Sequence, residues 1–88
     1  MRYTNDEISL IDGLLSSYML SLSTPTAIRN AYLTVHQHLQ NDHLTSDDLV
    51  RIKDGLYFLL PQFHHDRQMY REIISAIAST HAIIKGVA

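Results

Sequence analysis

The stretch GLYFLLPQFHHDRQMY, residues 55–70, decides the fold. Up to Pro61 and just past it, Leu49, Ile52, Leu56, Leu59, Leu60 and Phe63 make a broad apolar face at helical spacing. After it, Tyr70, Ile73, Ile74, Ile77, His81 and Ile84 make another. Pro61 stands between them. Proline has no backbone N–H and disfavours helix at the residue before it, here Leu60. If Pro61 ends the helix, the chain has four helices. If it only bends the helix, helices 3 and 4 fuse into one long kinked helix, and a three-helix arrangement of that sort needs a partner. The reading adopted is an all-α, compact antiparallel bundle of four helices near residues 5–22, 25–40, 46–60 and 62–85. The three-helix arrangement is the alternative. Residues 1–88 are read as a single helical domain.

Working outward, the remaining boundaries carry helix punctuation. Thr4 and Glu7 form the T-x-x-E pattern of a capping box, so helix 1 starts near Asn5. Its stripe is Ile8, Ile11, Leu14, Leu15, Tyr18 and Leu22. In SLSTPT, residues 21–26, Thr24 suits an N-cap and Pro25 the first helical position. Helix 2 then presents Ile28, Ala31, Tyr32, Val35 and Leu39. The polar run QNDHLTSDD, residues 40–48, breaks it. Thr45 or Ser46 caps helix 3, with Asp47 and Asp48 against the positive end of its dipole. Gly86 stops helix 4, and Lys85 complements its last turn. No alternating strand pattern of useful length occurs.

Composition removes several function classes. The net charge is −2, from 7 basic and 9 acidic residues, which leaves no broad cationic footprint for nucleic acid and no polybasic segment for anionic lipid. There is no cysteine, so disulfides, thiolate nucleophiles and cysteine-ligated zinc are excluded. A small chain without disulfides fits a reducing compartment, and the cytoplasm is the expected location. The start, MRYTNDEISL, lacks the form of a signal peptide. The longest apolar run, residues 73–84, is interrupted by Ser75, Ser79, Thr80 and His81, so no membrane span is expected.

The histidines are the residues most suggestive of chemistry. His64 and His65 stand beside Asp66 and Arg67. Adjacent helical residues point about 100° apart, so these imidazoles do not converge on one metal. His36 and His38 diverge likewise. His38 and Asp42, four apart, are a two-ligand pair at a fraying helix end. No H-x-x-x-H spacing occurs, and neither a metal nor a cofactor is expected. His81 lies within the apolar stripe of helix 4 and is expected to be buried, with a hydroxyl of Tyr18, Tyr32 or Tyr57 as partner. It is the candidate polar core site.

The segment DEISLIDGLLSSYML, residues 6–20, resembles the first helix of the all-helical chorismate mutases. That family builds its anionic-substrate pocket from arginines and lysines on several helices. Helix 1 here has no basic residue after Arg2, so no catalytic residue is assigned. The segment TSDDLVRIKDGLYFLL, residues 45–60, could be drawn as a DNA-recognition helix, but it opens on two aspartates that repel phosphate.

Three large apolar residues fall off the helix stripes: Leu20, Leu33 and Phe58. Phe58 lies between Arg51 and Asp54 on the polar side of helix 3. On helix 4, Ser75, Ser79 and Ala82 give a small-residue face with no charge from Ile73 to Ile84. These six are the interface candidates. The function expected is a small cytoplasmic protein–protein interaction or regulatory module without enzymatic activity, partnering with itself as a homodimer, with an unidentified protein, or with both. Two alternatives remain. A small helical enzyme needs an intersubunit pocket of converging charges. A nucleic-acid-binding regulator needs Arg29, Arg51, Lys53, Arg67 and Arg71 on one face.

Overall fold

A computed structural model of the chain describes residues 3–20 and 23–86. Four α-helices follow one another: α1 (Asn5–Tyr18), α2 (Thr26–Gln40), α3 (Ser46–Leu59) and α4 (Arg67–Lys85). A 3₁₀ turn, Leu60–Phe63, separates the last two. No strand occurs among the described residues.

Pro61 ends the helix rather than bending it. The Leu60 N–H still donates to Leu56, but the chain then tightens into the 3₁₀ turn. The Asp66 N–H donates to the Phe63 carbonyl at 2.9 Å. Asp66 itself is extended, and its carboxylate accepts the Met69 N–H at 3.1 Å, which starts α4. Gly86 closes that helix in the left-handed conformation, φ 73°, where glycine carries no Cβ penalty.

The other boundaries follow their caps with two differences. The Thr4 and Thr45 hydroxyls accept the N–H of Glu7 and of Asp48, and those carboxylates accept the Thr4 and Thr45 N–H in return. Helix α1, however, ends at Tyr18, short of residue 22, and Leu22 lies outside the described residues. In α2, Pro25 is the capping residue and not the first helical one. The Thr24 hydroxyl is turned back to the Tyr18 carbonyl at 3.4 Å and does not cap the helix.

Helix α1 touches all three others, α3 touches α2 and α4, and α2 and α4 occupy opposite corners. The α1–α2, α2–α3 and α1–α4 pairs are antiparallel, so α1 and α3 run parallel across the bundle. Asp12 meets His36, His38 meets Asp48 while Tyr32 meets Arg51, and Tyr3 meets Thr80. The molecule measures 36 × 31 × 19 Å, two helix diameters at its thinnest. Its core combines Ile11 and Leu15, Val35 and Leu39, Ile52, Leu56 and Leu59, and Ile73 and Ile77, with Tyr3 and Met19 closing the ends.

Helix α4 is rotated from the sequence-based stripe. Its buried residues are Ile73, Ala76, Ile77 and Thr80, whereas Ile74 and Ile84 are exposed and His81 is only half-buried. The cause is Thr80, a polar residue fully buried because its needs are met. Its hydroxyl donates to the Ala76 carbonyl at 2.7 Å and lies 2.6 Å from the Tyr3 hydroxyl, which is therefore the donor of the second bond. Burial pushes the Tyr3 phenol up to about 12 and keeps it neutral.

Gly55 fixes how closely α2 and α3 approach. A Cβ there would lie 3.1 Å from the Tyr32 hydroxyl oxygen and 3.2 Å from Leu15 Cδ2. The missing side chain lets the Tyr32 ring lie on α3 and donate its hydroxyl to the Arg51 carbonyl at 3.1 Å. Alanine would gain about 1 kcal/mol of helix propensity over glycine. Overpacking against two buried side chains costs typically ~1–3 kcal/mol. Gly55→Ala is therefore expected to lower stability by about 1 kcal/mol in urea unfolding. A gain of similar size would show that Tyr32 moves aside freely.

Candidate functional site

The histidines of α2 are structural ties. His36 Nδ1 lies 2.5 Å from Asp12 Oδ1 on α1, and Gln40 Nε2 donates to the other Asp12 oxygen at 3.2 Å. His38 Nδ1 donates to Asp48 Oδ2 on α3 at 2.6 Å. The two rings diverge to opposite neighbours of α2, as residues two apart on a helix must. His38 is thus drawn to Asp48 and not to Asp42, whose φ is 54° in the turn after α2. No group of three or more metal-ligating side chains converges among the described residues.

Asp48 departs from a simple dipole partner. It is 1% exposed. Burial alone would raise its pKa, but the Thr45 N–H at 2.8 Å, the His38 ring and the Thr45 hydroxyl outweigh that and hold the carboxyl below its ordinary range. Glu7 follows the same pattern: desolvation opposes its charge, while hydrogen bonds from Ser79 and Thr4 lower its pKa. The sequence signal for Asp48 was its place as N3 of a capping box, three residues after Thr45.

The interface candidates separate into exposed and internally engaged residues. Phe58 is 63% exposed, the largest value among the exposed large apolar residues. Leu33 is 42% exposed. Leu20 does not stand clear of the protein; it is half-buried and packs against the core, because α1 has already ended at Tyr18. Ser75 is exposed along a groove of about 530 Å³ between α1 and α4, with Glu7 and Glu72 among its walls. Ser79 is half-buried and donates to the Glu7 carboxylate of α1. Ala82 is half-buried.

His81 is not the buried core histidine that its stripe suggested. It stands at the α3–α4 margin, where its Nε2 lies 3.1 Å from the Tyr57 hydroxyl. Tyr57 is one of the three tyrosines expected as a partner. Helical side chains lean toward their own N-termini, which lets these two meet across antiparallel helices.

Ile28, which periodicity assigned to the core, is exposed. The ties from His38 to Asp48 and from Tyr32 to Arg51 set the register of α2 against α3. Ile28 is 46% exposed, because the first turn of α2 extends past the core. Tyr18, also exposed, lies at the same end of the bundle, edge-on to Phe63 at 5.8 Å between ring centres. A groove of about 380 Å³ lined by Leu10, Leu14, Tyr18, Phe63 and Met69 adjoins it. Leu33 belongs elsewhere: it is three residues from His36 and shares the flank of α2 that faces α1.

The basic residues do not assemble one face. Arg51 and Lys53 are two residues apart on α3, about 200° around its axis. Arg67 and Arg71 lie in the first turns of α4 and line a separate groove of about 390 Å³ with His64 and Tyr70.

Asp48 gives a pH signature. Its folded pKa lies below the unfolded one, so its stabilisation is complete above the ordinary carboxylate range and is lost as pH falls through the folded value. Asp48→Asn should destabilise the chain by about 1.5–3 kcal/mol at pH 7, the range for hydrogen bonds to a charged group. The difference from the parent should shrink as unfolding is measured at pH values below 4. A pH-independent difference would contradict a role for the charge.

None of the described helices is long and apolar enough to cross a membrane. The chain matches no known family model, no curated protein and no solved structure.

Proposed function

We propose that the chain is a small helical protein–protein interaction or regulatory module without enzymatic activity, acting by association with a second copy of itself or with another protein. The observation that carries this reading is the exposed phenyl ring of Phe58, the most exposed of the large apolar side chains among the described residues. A large apolar side chain left in water forgoes roughly 1.5–3 kcal/mol of burial free energy. Contact with a second chain recovers it, and aromatic residues are enriched in such contacts. The α3 register leaves Phe58 no inward alternative, since Leu49, Ile52, Leu56 and Leu59 are all buried. A cysteine-free chain suits a reducing compartment, so the cytoplasm is the location we propose.

The rival readings have less support. For an enzyme, the polar clusters at Asp12 and Asp48 are spent in tying helices together. For a nucleic-acid reader, Arg51 and Lys53 fall on different sides of α3.

The test is size-exclusion chromatography with light scattering across a dilution series, on the parent chain and on Phe58→Asp. The expected outcome is a concentration-dependent dimer that the substitution weakens at least about tenfold, the equivalent of ~1.4 kcal/mol, with the helical circular dichroism retained. A parent chain that stays monomeric at every concentration removes self-association. If Phe58→Asp also unfolds that monomer, the ring belongs to the core and the interaction reading fails.

A further inference from the structure

We infer that the groove at the start of α4 is a binding site for a small dianionic phosphate group, such as a phosphate monoester. The inference stands apart from the Phe58 surface. Three side chains able to donate hydrogen bonds line this one groove, Arg67, Tyr70 and Arg71 from the first two turns of α4, together with His64 from the end of the 3₁₀ turn. Arg67 and Arg71 are four apart and therefore neighbours on one helix face. Two like charges so placed repel each other unless an anion lies between them.

No carboxylate within the described residues plays that part. The ion pairs found there are His36–Asp12 and His38–Asp48, both on other helices. Asp66, the acidic residue next in sequence, turns its carboxylate to the Met69 N–H at the helix cap and is not among the lining residues. The His64 ring is held in place because its Nδ1 donates to the Pro61 carbonyl at 2.8 Å. The His65 ring lies beside it, with ring centres 3.7 Å apart and planes tilted by 43°.

The chemistry favours a phosphate dianion over a carboxylate. Two permanent guanidinium charges match two negative charges, and guanidinium forks bind the oxygens of phosphate in pairs. A carboxylate supplies one charge and two oxygens. The groove, about 390 Å³, accommodates a compact group and not a polymer backbone running over a wide basic face.

The test is a titration of the isotopically labelled full chain with inorganic phosphate, followed by NMR at constant ionic strength. Saturable shifts should centre on His64, Arg67, Tyr70 and Arg71. Arg67→Gln and Arg71→Gln should each weaken binding about five- to tenfold, as the loss of charge-assisted hydrogen bonds predicts. Arg51→Gln should leave it unchanged. O-phosphoserine and glycerol 3-phosphate, used as second probes, identify the source of the phosphate: a preference for either keeps the shared chemistry. Shifts that do not saturate, that chloride reproduces, or that survive both arginine substitutions would overturn the proposal. Tighter binding of single-stranded DNA through the same residues, with steep salt dependence, would also overturn it, because the ligand would then be a polyanion.

Discussion

The reversal at Pro61 is the constraint on which the rest of this structure depends. A proline in the middle of a helix removes one hydrogen bond and clashes with the carbonyl four residues earlier. The chain resolves both at once by ending α3 at Leu59 and tightening into a 3₁₀ turn. Asp66 then starts a new helix with its own cap. Because α4 turns back, Ile73, Ala76 and Ile77 face the core made by Ile52, Leu56 and Leu59 and by Ile11 and Leu15. Without the reversal, α4 would leave the apolar faces of α1 and α3 uncovered.

Polar contacts then specify how the helices sit. The α1–α2, α2–α3 and α1–α4 pairs are each joined by at least one buried or half-buried hydrogen bond. Asp12 and Asp48 receive the two α2 histidines, Tyr32 reaches the Arg51 carbonyl over Gly55, and Tyr3 and Glu7 hold Thr80 and Ser79. No buried side-chain polar atom among the described residues is left without a partner. A buried polar group is costly when unpaired, so these contacts penalise any other rotation of the helices. Thr80 shows the effect most clearly. Its two hydrogen bonds let α4 turn a threonine inward and leave Ile74 and Ile84 at the surface.

What the sequence made legible was local. The capping box at Thr4, a cap at Thr45 or Ser46, the stop at Gly86 and the break at Pro61 are set by residues within one turn of each other, and the structure chooses Thr45 for the third helix. The inward face of α3 was legible for the same reason, and Phe58 with it. The rotation of α4 was not, because it depends on Tyr3, at the other end of the chain. His81 and Ile74 were misplaced by that same rotation. Ile28 was missed because periodicity reports which side of a helix is apolar, not whether a neighbour extends far enough to cover it. The burial of Asp48 needed His38 from α2. The groove between His64 and Arg71 was visible only as a run of polar residues. Its convergence depends on the angle at which the 3₁₀ turn meets α4.

Two surface features that remain after the core is satisfied, Phe58 and the arginine groove, flank Pro61 in the chain. Phe58 precedes the reversal, and the residues of the arginine groove follow it. The same turn that closes the fold thus presents both an apolar and a cationic surface. Both surfaces require α3 and α4 to be separate and antiparallel. That is measured most directly as the distance between spin labels on Asp47→Cys and Lys85→Cys, both at exposed positions in a chain without native cysteine. The labelled protein is diluted in unlabelled protein, so that only distances within one chain count. The folded-back arrangement predicts a distance on the order of 20 Å, one helix–helix separation plus the reach of two labels. A continuous helix through Pro61 would place the labels ~57 Å apart at 1.5 Å per residue, and that result would contradict the account.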